Sequence, residues 1–280
     1  MATTTLDIAV CLDCSSSITS YFNSIRSSIL SILRQSLVCH RGLIRMGLIE
    51  FRSHTNYWMK HMHLFTSLFE TFQKWLNDIE IEEGNSDERK AVVDVLGACL
   101  TFDWRPNVNG KCSTHGNDLW KISDQFEKQD IILVVVGIEP SVVVYADFYC
   151  ALAHKTGGEY LPMINAARIL SSIILNVLFK EDTLCQLFRH INVESDLQHN
   201  CLYNYTSGEQ HVSFMIEHCS TMFDIRQYFQ QMLDRRKRMV TDDDESDSTT
   251  YIDDVQYAPS DKTVHLKNDW QSCLNQVTKK

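Results

Sequence analysis

Apolar residues in this chain come in two arrangements, short near-continuous runs and longer stretches at helical spacing, and the two alternate. Leu6–Leu12 is a run of strand length. Ile18, Phe22, Ile25, Ile29, Ile32, Leu33 and Leu37 then recur at the spacing of one helix face. That helix would hold about 20 residues and span roughly 30 Å, with Ser17 as its N-cap. Leu43–Phe51 reads as a second strand and Tyr57–Phe65 as a third, nearer an edge. Leu68, Phe69, Phe72, Trp75, Leu76 and Ile79 mark an amphipathic helix. Further helices are predicted over Ala91–Trp104 and Asp118–Lys128. Ile131–Gly137 is β-branched almost throughout and does not alternate, as expected for a central parallel strand covered on both faces. A helix over Val142–Lys155, a turn at Thr156-Gly157-Gly158, a short strand over Glu159–Leu161 and a helix over Asn165–Phe179 follow.

Strands alternating with helices predict an open, mostly parallel α/β sheet. In such a sheet ligands gather at the carboxyl ends of the strands, and Asp13-Cys14-Ser15-Ser16-Ser17 stands at one of them. One place breaks the rhythm. Arg105–Asn117 is polar and has no apolar run, so two helices follow one another where a strand would be due.

The C-terminal hundred or so residues differ in character. Glu181–Val193 would extend the preceding helix, and Phe223–Met239 reads as another. The latter ends in Arg235-Arg236-Lys237-Arg238, which complements a helix dipole, ahead of the acidic run Asp242–Asp247. The expected organisation is a domain over 5–180, a mainly helical extension over 181–240, an acidic disordered linker over 241–262 and a tail over 263–280. The basic run is also a candidate nuclear-import signal or docking patch, and Ser246, Ser248 and Thr249 are candidate phosphorylation sites.

Composition narrows the function classes. The 280 residues suit one large domain with an extension, and 44% hydrophobic content supplies an ordinary globular core. A formal net charge of −10 argues against nucleic acid as a partner for the surface as a whole. The start lacks a basic stretch followed by an apolar one, so no signal peptide is expected, and no apolar run is long enough for a bilayer. Ten cysteines are scattered through the chain, several of them inside apolar runs, as reduced core thiols are. The expected compartment is the cytoplasm, with the nucleus as the alternative. Cys11 and Cys14 make one isolated C-x-x-C, which reads as small-residue packing.

The chemistry-bearing candidates are few. Asp13, Ser15 and Ser17 at alternate positions would line a small oxygen pocket suited to a hard divalent cation such as Mg²⁺. The same groups could instead cap the following helix. His54, His61 and His63 read as exposed polar positions of an edge strand rather than as a metal cluster. There is no phosphate-binding G-x-x-x-x-G-K-[ST] loop, nucleophile elbow or H-E-x-x-H, so no enzyme activity is expected.

With these residues in view, the chain resembles a von Willebrand factor A (vWA) domain over about residues 5–180. Asp13-x-Ser15-x-Ser17 after an apolar strand is similar to the first loop of that family's metal-ion-dependent adhesion site. Gly84-Asn-Ser-Asp87 with Ala91-Val-Val-Asp94-Val-Leu96 and Asp103-Trp104-Arg105 resembles the glycine-rich loop and helix of intracellular members, including those linked to alpha-type protein kinases. Val136-Gly137-Ile-Glu139-Pro140-Ser141 and Thr156-Gly157-Gly158-x-Tyr160-x-Pro162 are also similar to family motifs.

The resemblance implies a doubly wound, mostly parallel sheet with helices on both faces. It also implies a metal held by Asp13, Ser15 and Ser17, with Asp87 from a second loop. The ion would be Mg²⁺, or alternatively Mn²⁺ or Ca²⁺, and its shell would be completed by an exposed Asp or Glu of a protein partner. The strand that the family ends in a third-loop aspartate has no counterpart around 105–117. The expected function is therefore a non-enzymatic interaction module with an incomplete adhesion site; the alternatives are a metal-independent scaffold or a truncated member of a kinase-linked vWA protein.

Overall fold

A computed structural model describes residues 5–39, 44–52, 60–81, 91–105, 118–138, 145–179 and 205–242. Strand β1 (Leu6–Asp13) leads through a 3₁₀ turn (Ser16–Ile18) to helix α1 (Phe22–Cys39). Strands β2 (Ile44–Phe51) and β3 (Lys60–Thr66), then helices α2 (Phe69–Asn77), α3 (Val92–Cys99) and α4 (Leu119–Lys128), follow. Next come β4 (Val135–Gly137), α5 (Ala146–His154), β5 (Tyr160–Pro162) and α6 (Met163–Phe179). Helices α7 (Tyr205–His218) and α8 (Met222–Asp242) complete the described chain.

The class is α/β, as the alternation predicts, but the strands form two small sheets. One is mixed: β1 and β2 pair parallel from Leu6↔Ile44 to Asp13↔Phe51, while β3 runs antiparallel on the free edge of β2. The other is the parallel pair β4–β5. The edge position of the third strand agrees with its alternating pattern, whereas its direction could not be read from that pattern.

β1 and β2 are covered on both faces, and their alternation separates two cores. Leu6, Leu12, Ile44, Met46 and Leu48 pack with Phe22, Ile25, Ile32 and Leu33 of α1, Phe72 and Leu76 of α2, and Ile174 of α6. Ile49 and Phe51 face the other way, with Ala9 and Cys11 packed alongside. Their neighbours are Val95, Leu96 and Cys99 of α3, Trp120 and Phe126 of α4, and Phe148 and Leu152 of α5. The C-terminal helices join this second core through Val212, Met215, Cys219, Met222 and Ile225. Trp120 Nε1 donates to the Cys219 carbonyl at 2.8 Å, and the Asp118 carboxylate accepts from the backbone N–H groups of Trp120, Lys121 and Met222. One aspartate thus caps α4 and also receives the start of α8.

The Ile131–Gly137 run is a correction. Only Val135–Gly137 is strand, and Val136 is 39% exposed rather than covered. The preceding residues commit their backbone groups elsewhere. Ile131 N–H returns to the Phe126 carbonyl (2.9 Å) and Asp130 N–H to Glu127 (3.1 Å), the bond pair that closes a helix through a left-handed residue, here Asp130 at φ 51°. Leu133 N–H goes to Thr156 Oγ1 at 2.8 Å.

Helix α5 ends by the same device. Gly157, at φ 79°, donates to His154, and Gly158 donates to Ala153. A Cβ on Gly158 would lie 2.0 Å from the Leu133 carbonyl oxygen, so only glycine lets β5 start beside this segment. Ser17 is a second correction. α1 begins at Phe22, and Ser17 lies inside the 3₁₀ turn rather than at the helix N-cap. No helix among the described residues is long and apolar enough to cross a membrane.

Candidate functional site

The carboxyl ends of β1 and β2 carry two polar groups on opposite faces of the same parallel pair. The first is the Asp13–Ser17 loop. Cys14 N–H is held by the Phe51 carbonyl at 2.7 Å, which ties the loop to the end of β2. Asp13 Oδ1 accepts from Ser15 N–H at 2.9 Å, and the Ser15 and Ser17 hydroxyls lie 2.9 Å apart. Ser15 is buried, and Ser17 is exposed. The structure therefore brings Asp13, Ser15 and Ser17 together in one turn. Asp87, with the rest of the Gly84–Asp87 loop, and the polar stretch 106–117 lie outside the described residues.

These oxygens fit a hard cation by donor type, one carboxylate and two hydroxyls, and leave most of its shell to water or a partner. They also satisfy one another without an ion. Cys14, between them, donates its thiol to the Leu12 carbonyl at 3.4 Å, and burial, with the charges of Glu50 and Asp13, pushes that thiol up to about 12. Cys11 does not pair with Cys14; its sulfur lies 3.1 Å from that of Cys99 across β1 and α3.

The second group was not legible as a site. Glu50 is the one acidic residue in the β2 run, and it is buried. In the antiparallel register Glu50 stands opposite His61, and Leu48 stands opposite His63. The period of two puts both histidines on Glu50's face, His61 directly across and His63 on the diagonal. Glu50 Oε1 lies 2.7 Å from His63 Nε2 and 3.5 Å from His61 Nδ1. The histidine rings are 4.3 Å apart, and His63 stacks on Trp75 of α2 at 4.7 Å and 24°.

The reading of exposed edge histidines holds for His61, whose side chain is 60% exposed, but not for His63 at 16%. His54 lies outside the described residues. The available signal was an acid inside an apolar run together with a His-x-His alternation. It becomes a site only once the direction and register of β3 are known.

A third polar group lies at the amino end of the same strands. Asp7, with only 7% of its side chain exposed, accepts from Arg45 on the neighbouring strand and from Arg105 after α3. The contacts are Arg45 Nε (3.0 Å) and Nη2 (2.6 Å) and Arg105 backbone N–H (2.8 Å) and Nε (2.8 Å). Burial raises the Asp7 carboxyl, but the hydrogen bonds from Arg45 and Arg105 outweigh it and hold the group below the usual carboxylate range. This is a closed structural clasp with its acceptor capacity filled.

In comparisons with known proteins, no family model matches the chain. No curated protein matches it either.

Proposed function

We propose that the chain is a non-enzymatic protein-interaction module of vWA type, which captures an exposed Asp or Glu of a partner through a Mg²⁺ held by Asp13, Ser15 and Ser17, with Asp87 assisting. The single observation carrying this reading is the convergence of the Asp13 carboxylate and the Ser15 and Ser17 hydroxyls at the carboxyl end of a parallel strand pair. Ligands collect at that edge of an α/β sheet. Two neutral hydroxyls and few carboxylates leave the ion electrophilic, so a partner carboxylate gains by joining its shell.

The finer fold in this proposal is one doubly wound sheet, of which β1–β2–β3 and β4–β5 are two parts, with a central strand shortened or missing between them. Helices on both faces of β1–β2 support it. Calorimetric titration with Mg²⁺ or Mn²⁺ tests the reading. Binding is expected for the unaltered chain and lost in Asp13→Ala. No heat of binding, or equal binding by the variant, sinks it.

A second reading has its own observation. Helices α7 and α8 form a groove of about 290 Å³ lined by His211, Phe214, Tyr228, Met232 and Arg235. Phe214 and Tyr228 stack in it at 4.5 Å. A metal-independent scaffold would bind its partner there. Partner capture that survives EDTA favours this groove over the Asp13 loop.

A further inference from the structure

We infer that Glu50, His61 and His63 form a second metal site, distinct from the Asp13 loop, that takes a borderline-soft transition ion, Zn²⁺ by preference. The donor set is two imidazole nitrogens and one carboxylate oxygen, with all three ligand atoms within 4.8 Å of one another. That set suits zinc, which is bound by nitrogen and oxygen at about 2.0–2.2 Å. It does not suit Mg²⁺, which seeks oxygen alone.

In a tetrahedral shell with such bond lengths, neighbouring ligand atoms stand roughly 3.3 Å apart. The Glu50–His63 and Glu50–His61 separations, 2.7 and 3.5 Å, bracket that value. Side-chain adjustments of about an ångström close the triangle around an ion. Without an ion, a hydrogen bond between His63 Nε2 and Glu50 Oε1 takes its place. In the tautomer protonated on Nδ1, the Nε2 lone pair is released to the metal and no other group changes charge.

Three features make this more than an ion pair. The backbone fixes it: β2 and β3 hold the three residues on one sheet face by register, so the ligands do not depend on loop order. Trp75 stacks on His63 and fixes its ring plane, the orienting role that outer-shell partners play in metal sites. The exposure is graded, with Glu50 8%, His63 16% and His61 60% of the side chain in solvent. The third ligand therefore closes from the solvent side, and a fourth position faces water or an incoming donor. The ion would clip the edge strand β3 to β2.

The test uses the full chain without an affinity tag, stripped by a chelator and titrated with Zn²⁺ against a chromophoric competitor, with Co²⁺ as a spectroscopic substitute. One equivalent of Zn²⁺ is expected to bind with micromolar or tighter affinity. Co²⁺ is expected to give the intense visible bands of a four-coordinate nitrogen–oxygen site. His61→Ala, at an exposed position that leaves folding intact by circular dichroism, is expected to weaken binding at least about 100-fold, the upper end for losing a mere supporting partner. Asp13→Ala is expected to leave Zn²⁺ binding unchanged. Failure to bind one equivalent, unaltered affinity in His61→Ala, or loss of Zn²⁺ binding in Asp13→Ala overturns the proposal. The Asp13→Ala arm keeps the two sites separable, because it removes Mg²⁺ binding alone if both readings hold.

Discussion

Asp7 and Glu50 are carboxylates with almost wholly covered side chains on the parallel pair β1–β2, at opposite ends and on opposite faces, and each faces two cationic or basic side chains. Asp7 has two arginines. Their guanidiniums stay charged, have no lone pair to offer, and fill its oxygens with charge-assisted hydrogen bonds. Glu50 has two imidazoles, whose nitrogens either donate a proton or offer a lone pair. Equal burial with different partners therefore gives different chemistry. The arginine pair makes a clasp, and the histidine pair makes a place that can turn a lone pair toward a metal ion. Arg105 also shows what the clasp joins: it donates to the Leu6 carbonyl as well, so the segment that follows α3 is fastened to the start of β1.

The comparison can be broken most forcefully at Asp7. Asp7→Ala leaves Arg45 and Arg105 facing each other without the carboxylate that joins them, and a loss of about 3 kcal/mol is expected, read by urea unfolding. The pH dependence carries a sign. Because the folded carboxyl is held below its ordinary value, Asp7's contribution is complete above the unfolded pKa of about 3.9 and drains away as pH falls through the lower folded value. Unfolding midpoints measured downward from pH 5 should fall less steeply in Asp7→Ala than in the unaltered chain.

The histidine pair is sharpened next. Zn²⁺ at a hundred times its Kd is expected to raise stability by about 2.7 kcal/mol in the unaltered chain and by no more than about 0.4 kcal/mol in His61→Ala, by thermal melts. Glu50→Gln, without metal, keeps the shape but replaces the charged acceptor of His63, and a cost of about 1–3 kcal/mol is expected in the same urea assay.

The smallest effect comes from a one-histidine relative of this group, His154 on Glu159 at 2.9 Å. Burial lowers His154, but the hydrogen bond to Glu159 and the charges of Glu159 and Glu209 together outweigh it and raise the ring above its ordinary value. Its contribution is therefore complete below about pH 6.5 and fades as pH rises through the higher folded value. An NMR titration of the His154 ring should place its midpoint above that of the same ring in Glu159→Gln.

Much of the architecture was legible because burial writes itself into local spacing. β2 was bounded to within a residue, and the faces of α2 and α4 fell where Phe72, Leu76, Trp120 and Phe126 predicted. The turn at Thr156–Gly158 was placed, and the structure supplies the reason glycine is needed there. Ile131–Val134 misled because an apolar β-branched run records burial and leaves pairing open. Backbone groups of Ile131 and Leu133 are claimed by the end of α4 and by Thr156. His63 misled for the opposite reason. An edge strand exposes its outer hydrogen-bonding side, yet one of its faces still packs on a helix, here against Trp75.

The sequence by itself determined the alternating α/β pattern, the strand end that carries Asp13, Ser15 and Ser17, and which helix faces turn inward, because each of these depends on residues a few positions apart. Only the tertiary structure decided that Arg45 and Arg105 meet at Asp7, that Cys219 receives Trp120, and that His61 and His63 close on Glu50. Those encounters depend on strand direction, register and helix docking, which join residues 11 to 99 positions apart: Glu50 to His61 at one extreme and Trp120 to Cys219 at the other. No local period encodes them, because a single change of register in β3 would turn both histidines to the other face and leave Glu50 without either.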